Sequence, residues 1–175
     1  MKKTLSEVKN TFKIAGIEFI KFPGKDGEVI AVAKESLFDS RFGDNNDLRN
    51  SDILKKLQED ILPKIEAEVG AENVLEFETD LLSLDGLDTY GTLKSKISIP
   101  TIDFYRANAR IFDEYKLDDY WWLATPDSTP EHANDRWTVC VAPRGYVYSG
   151  NCCGDDSGVR PILHFVSSIS VSCEE

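Results

Sequence analysis

Tyr120-Trp121-Trp122-Leu123-Ala124-Thr125-Pro126 is the stretch on which the reading of the fold turns. A short run of bulky apolar residues stopped by Thr-Pro reads as a strand, and it falls far short of the ~20 residues a membrane crossing needs. Successive side chains of a strand point to opposite faces, so Trp121 and Trp122 diverge. One of them is expected in the core, while the other either joins the core or lines a surface groove. Downstream, Trp137–Val141, Gly145–Tyr148 and Ile162–Val166 are further β-prone stretches separated by turn-rich loops. The C-terminal half therefore reads as a compact, loop-rich β region.

Upstream the periodicity changes. Thr101 is a good N-cap, Asp103 sits in the first turn, and Ile102, Tyr105, Ala109 and Phe112 form one stripe, which predicts a helix. Ser51 or Asn50 caps a second amphipathic helix carrying Ile53, Leu54, Leu57 and Ile61. Pro63 is expected to break or kink it, with a further turn or two ending at Gly70. Phe12–Phe22 reads as one strand with a bend or bulge at Gly16. Pro23–Gly27 supplies a turn, and Glu28–Ala33 returns as its antiparallel partner. Residues 1–11 are expected to form a flexible N-terminus. The whole is an α+β chain expected to be a single domain over residues 1–175.

The 175 residues are 41% hydrophobic, with 18 Gly plus Pro, so a sizeable core can form without disulfides or metal. Thirty-one acidic against 20 basic residues give a net charge of −11. That balance opposes phosphate contacts, so no direct nucleic-acid binding is expected. The charge is spread almost evenly along the chain, whereas all three Trp, all four Cys and both His fall beyond residue 100. Met1–Ile14 opens with Lys2 and Lys3 but has no apolar run behind them, so no signal peptide is expected. The expected location is the cytoplasm or a virion.

Cys140, Cys152, Cys153 and Cys173 are too sparse for a secreted scaffold and are expected to be free thiols. No spacing fits a zinc site, and neither cofactor nor metal is expected. Glu131, Asn134 and Asp135, with Asn151, Asp155 and Asp156, supply oxygen ligands, but in no calcium-loop spacing. They read as a solvated acidic loop. Neither a nucleophile elbow nor a Walker loop is present, although His132, His164 and abundant Ser and Asp leave a triad open by inventory. Arg160 is expected to be structural and to pair with a buried carboxylate, Asp118 or Asp119 being candidates.

Taken together, Tyr120–Pro126, Ser128-Thr129-Pro130, Arg136-Trp137, Gly145-Tyr146-Val147 and Gly158-Val159-Arg160-Pro161 resemble the signature of a large uncharacterised family of gut bacteria and their phages. Its members share a WWLxTP strand, a variable hairpin and a terminal GVRP strand. Ile14–Phe19, Asn50–Leu54, Asp80–Leu87 with Tyr90-Gly91, and Ile99–Arg106 extend the likeness, so it covers about Phe12 to Val166. That family is similar to the C-type lectin-like fold, which includes formylglycine-generating enzymes and the hypervariable proteins of diversity-generating retroelements. The resemblance implies two helices flanking short twisted antiparallel sheets and a ligand face made of loops. It implies no reaction, and the cysteines used by formylglycine-generating enzymes have no counterpart here.

The expected function is a non-enzymatic binding or display module, associated with a phage or prophage, whose face lies between residues 125 and 157. Trp137, Arg144, Tyr146, Tyr148 and Asn151 are its candidate ligand-binding residues, because Trp, Tyr and Arg give stiff contact area with a polar tip. Alternation should put Tyr146 and Tyr148 on one sheet face, and the five side chains are expected in one patch. The alternative reading of these residues is an aromatic-capped sheet face packed under the helices. The ligand would be a protein or a glycan. A different class of function is an acidic intracellular phage effector that blocks a basic, nucleic-acid-binding surface of a host protein.

Overall fold

The structure, a computed structural model, describes residues 2–173. Its elements in chain order begin with β1 (Lys2–Thr4), β2 (Thr11–Ile14), β3 (Ile17–Pro23), β4 (Glu28–Ala33) and β5 (Asp39–Ser40). Helices α1 (Asp52–Lys56) and α2 (Leu62–Val69) follow, then β6 (Val74–Leu75), β7 (Phe77–Asp80) and β8 (Thr92–Ser95). Helices α3 (Ile102–Ala107) and α4 (Ala109–Glu114) precede β9 (Trp121–Pro126), β10 (Trp137–Val141) and β11 (Val147–Asn151). The chain closes with β12 (Ser157–Gly158), β13 (Ile162–Val166) and β14 (Ser170–Ser172). The fold is α+β.

A seven-stranded antiparallel sheet has the order β1-β14-β2-β3-β4-β13-β6, and a five-stranded sheet the order β11-β10-β9-β12-β5. The larger sheet is covered on both faces. Phe12, Phe19, Ala31 and Phe165 pack on one side with Ile53, Leu57 and Ile65 from the α1–α2 region. Ile20, Phe22, Val32 and Ile162 pack on the other with Tyr105 and Phe112 from α3 and α4. Double coverage explains why β3 and β4 carry nearly continuous apolar runs rather than strict alternation.

β9 joins the two cores. Trp121 and Leu123 belong to the α3–α4 side, while Trp122 and Ala124 belong to the other. The tryptophans do diverge, and both are enclosed, at 2% and 0% exposure. The groove alternative for one of them therefore falls away.

Two local expectations are corrected. Phe12–Phe22 is not one bent strand but a tight hairpin, with Phe12 opposite Phe19 and Ile14 opposite Ile17. Its two-residue loop, Ala15 and Gly16, has φ of 51° and 75°, the left-handed pair that lets two strands turn back with matching twist. The N-terminus is not a loose arm either: β1 pairs with β14, and Leu5 is fully buried. Lys21 fixes this segment by donating from Nζ to the carbonyls of Leu5, Ser6 and Val8 at 3.0, 3.0 and 2.7 Å.

Pro63 does not end its helix. A π turn, Leu57–Ile61, separates α1 from α2, and the Leu62 amide bonds back to the Leu57 carbonyl. The wider turn absorbs the missing donor and the ring of Pro63, so the chain runs on as a helix to Gly70. Ser51 and Thr101 cap their helices as expected, accepting from the amides of Leu54 and Phe104.

The GVRP segment is a structural staple. Gly158 pairs in parallel with Trp121, and any side chain there would overlap Ser36. Arg160 is 1% exposed, yet its expected carboxylate partner is absent among the described residues. Asp119 instead accepts from the Tyr120 amide. The guanidinium lies 4.6 Å from the Trp121 ring and 5.4 Å from the Phe112 ring, and Nε donates to the Ala33 carbonyl at 2.9 Å. Two aromatic faces thus stand where an ion-pair partner was expected, Glu35 acts on the charge only through space, and Nη2 has no hydrogen-bond partner. Burial pulls its pKa down to about 10.

Candidate functional site

The β10–β11 hairpin has an unbroken register, with Trp137 opposite Asn151, Cys140 opposite Tyr148 and Val141 opposite Val147. Directly paired residues share a face and neighbours alternate. Thr138, Cys140, Tyr148 and Gly150 therefore occupy one face, while Trp137, Val139, Val141, Ser149 and Asn151 occupy the other. Val139 and Val141 seat the second face on the α3–α4 core. The loop at the hairpin tip is held from behind, because the Tyr105 hydroxyl on α3 donates to the Gly145 carbonyl at 2.5 Å.

All four candidate residues outside the turn of Asn151 are exposed, Tyr146 and Tyr148 at 55% each and Trp137 at 42%, with Arg144 at the loop tip in a left-handed conformation, φ 73°. They do not form one patch. Tyr146 and Tyr148 gather with Tyr120, whereas Trp137 and Asn151 lie across the sheet from Tyr148. Pairing parity decides this: Trp137 is three residues from Cys140, the partner of Tyr148, and an odd step in a strand changes face. Asn151 is also committed locally, its Oδ1 accepting from the amides of Cys153 and Gly154 at 3.0 and 3.2 Å.

What the structure assembles is a tyrosine-walled hollow. The Tyr120 and Tyr148 rings meet edge to face at 5.9 Å, and the Tyr120 hydroxyl is hydrogen-bonded to Tyr146, which holds its ionisation above the ordinary value. Tyr120, Cys140, Tyr148, Gly150, Asp155 and Asp156 line a cavity of about 320 Å³. Gly150 is required here, since a Cβ would stand 2.8 Å from the Trp122 ring. Its bare backbone forms part of the floor, and Asp155 Oδ2 lies 3.6 Å from where that Cβ would be. The same oxygen accepts from the Asn151 amide at 2.7 Å, which fixes the 151–155 turn.

Sequence reasoning missed Tyr120, Gly150, Asp155 and Asp156 as parts of this site. A glycine inside a strand signals a close approach, and Gly150 carried that signal. Nothing local paired it with Trp122.

A second cluster was open to a nucleophile reading. The Ser128 hydroxyl donates to Asp85 Oδ2 at 2.6 Å, His132 Nδ1 lies 3.2 Å from that oxygen, and Ser83 bonds Oδ1 at 2.5 Å. These contacts hold Asp85 down at about 2, the Ser128 bond contributing most. Serine and histidine converge on one carboxylate instead of forming a relay, so the group ties loops together. His164, the other histidine, stacks on Phe77 at 4.0 Å and bonds Glu28, a packing role. Among the described residues no group of three or more His, Cys, Asp or Glu could hold a metal ion.

The vicinal thiols Cys152 and Cys153 have sulfurs 3.4 Å apart, and burial pushes Cys152 and Cys140 up to about 12 each. A thiol must ionise to react. Native protein at neutral pH is therefore expected to take up one iodoacetamide, at the half-exposed Cys153, and four after denaturation, read by intact mass. Two or more modified sites in the native state would contradict the burial of Cys140, Cys152 and Cys173.

No helix among the described residues is long and apolar enough to cross a membrane. Compared with known proteins, the chain matches no family model, no curated protein and no solved structure.

Proposed function

We propose that this chain is a non-enzymatic binding module of the C-type lectin-like class, phage- or prophage-associated, whose face lies between residues 125 and 157 and takes a protein or glycan ligand. The observation that carries the proposal is the exposed cluster of Tyr146 and Tyr148 with Tyr120, beside a hollow of about 320 Å³ lined by Tyr120 and Tyr148. Exposed aromatic rings on a rigid hairpin offer contact area without ordering cost, which is the usual composition of a recognition surface. The α+β architecture supports the class of fold that the signature motifs imply. Trp137, on the opposite face of the sheet, stands apart from this cluster.

The Tyr146→Ala/Tyr148→Ala protein should melt within about 4 °C of the parent, since surface truncations cost within ~0.5 kcal/mol each. It should lose whatever ligand the parent retains in a glycan screen or a pull-down from host lysate. A double variant that keeps every interaction of the parent would remove the tyrosine cluster from the binding face.

A further inference from the structure

Within that binding reading, on which this inference rests, we infer that the hollow takes the guanidinium of an arginine presented by a partner protein. Its walls combine the two features such a group needs. The Tyr120 and Tyr148 rings offer π surface set at 62° to each other, and Asp155 and Asp156 place carboxylates at the rim. A planar cation can lie flat on an aromatic ring while its edge N–H groups reach a carboxylate in pairs, and a compact ammonium has neither the flat face nor the paired donors.

The floor supports the same conclusion. Gly150, seated on the Trp122 ring, and Gly154 line the cavity with backbone alone, an uncharged surface against which an alkyl stem can lie. At about 320 Å³ the hollow stands at the small end of ligand pockets, matching one side chain better than a chain of sugar rings. None of the lining residues is basic, so no cation from its own walls fills the place. The net charge of −11 adds a long-range field that draws a basic partner and repels an anionic one.

A hexa-arginine peptide is the probe, titrated by calorimetry at 50 and 300 mM salt, with hexa-lysine and tri-N-acetylglucosamine as comparisons. Three variants locate the binding: Asp155→Asn/Asp156→Asn, Tyr148→Ala, and Glu59→Gln/Asp60→Asn as a charge-matched control on the exposed side of the helical segment. Asparagine keeps an oxygen for the Asn151 amide, so the turn is preserved. The expected result is a loss of tenfold or more for each site variant and less than threefold for the control. Hexa-arginine should bind more tightly than hexa-lysine.

Equal losses in site and control variants would show attraction by net charge alone and overturn the inference, as would an absence of binding. Uptake of the sugar with no sensitivity to the Asp155/Asp156 change would also overturn it while leaving the binding module intact. Failure of the binding module itself is read separately, by a Tyr146→Ala/Tyr148→Ala protein that retains the parent's ligands.

Discussion

Arg160→Ala is expected to cost about 3 kcal/mol, lowering the melting temperature by roughly 6–12 °C for a chain of this size. The guanidinium and its stem fill a fully enclosed space between Trp121 and Phe112, and alanine would leave that space empty. Arg160→Met should cost no more than ~1 kcal/mol. Methionine refills the volume and removes a desolvated charge that no carboxylate hydrogen-bonds, losing the bond to the Ala33 carbonyl and the through-space attraction of Glu35. Urea unfolding of the two variants reads the difference directly. If methionine were as damaging as alanine, the charge itself would hold the core together and the aromatic sandwich would be incidental.

Trp122→Ala should be more severe, at ~3–5 kcal/mol. The indole is completely buried, meets Phe42 edge to face at 5.6 Å, and donates Nε1–H to the Ser40 carbonyl at 2.8 Å. It thereby ties β5 to β9. Trp122→Phe isolates the polar part: the ring remains and the Ser40 carbonyl loses its donor, for an expected ~1–2 kcal/mol. Because Gly150 rests on this ring, Trp122→Ala should also weaken any ligand of the tyrosine hollow, whereas Trp122→Phe should largely spare it. A Trp122→Ala protein as stable as the parent would mean that β9 is not the shared wall of both cores.

Much of the secondary structure was legible because its signals are local. Ser51 and Thr101 each supply a hydroxyl to the third residue beyond, and Ile162–Val166 is a short β-prone run between turn-rich stretches, so those boundaries follow from neighbouring residues. The hairpin at Ala15-Gly16 was misread because buried residues on both faces of the sheet hid the change of strand. β1 was invisible, since Lys2-Lys3-Thr4 has no pattern and gains its partner from the far end of the chain. The site suffered from parity. Tyr146 and Tyr148 could be placed together from their spacing alone, but Trp137 could be assigned a side only once Cys140 was known to face Tyr148. Arg160 announced its need for a partner; that the partner would be two rings, one of them from a helix, is a tertiary fact.

Asn46 is fully enclosed, and its amide group is used in three directions: Nδ2 donates to the carbonyls of Ser128 and Trp137 at 2.9 Å each, and Oδ1 accepts from the Tyr90 hydroxyl at 2.8 Å. One side chain therefore binds the segment before α1, the segment around Tyr90, the end of β9 and the start of β10. Opening any one of these strands an amide that has no route to water, so they open together. In deuterium exchange the backbone amides at 46, 91, 127 and 138 should consequently lose protection at a common rate, although almost a hundred residues separate the first from the last.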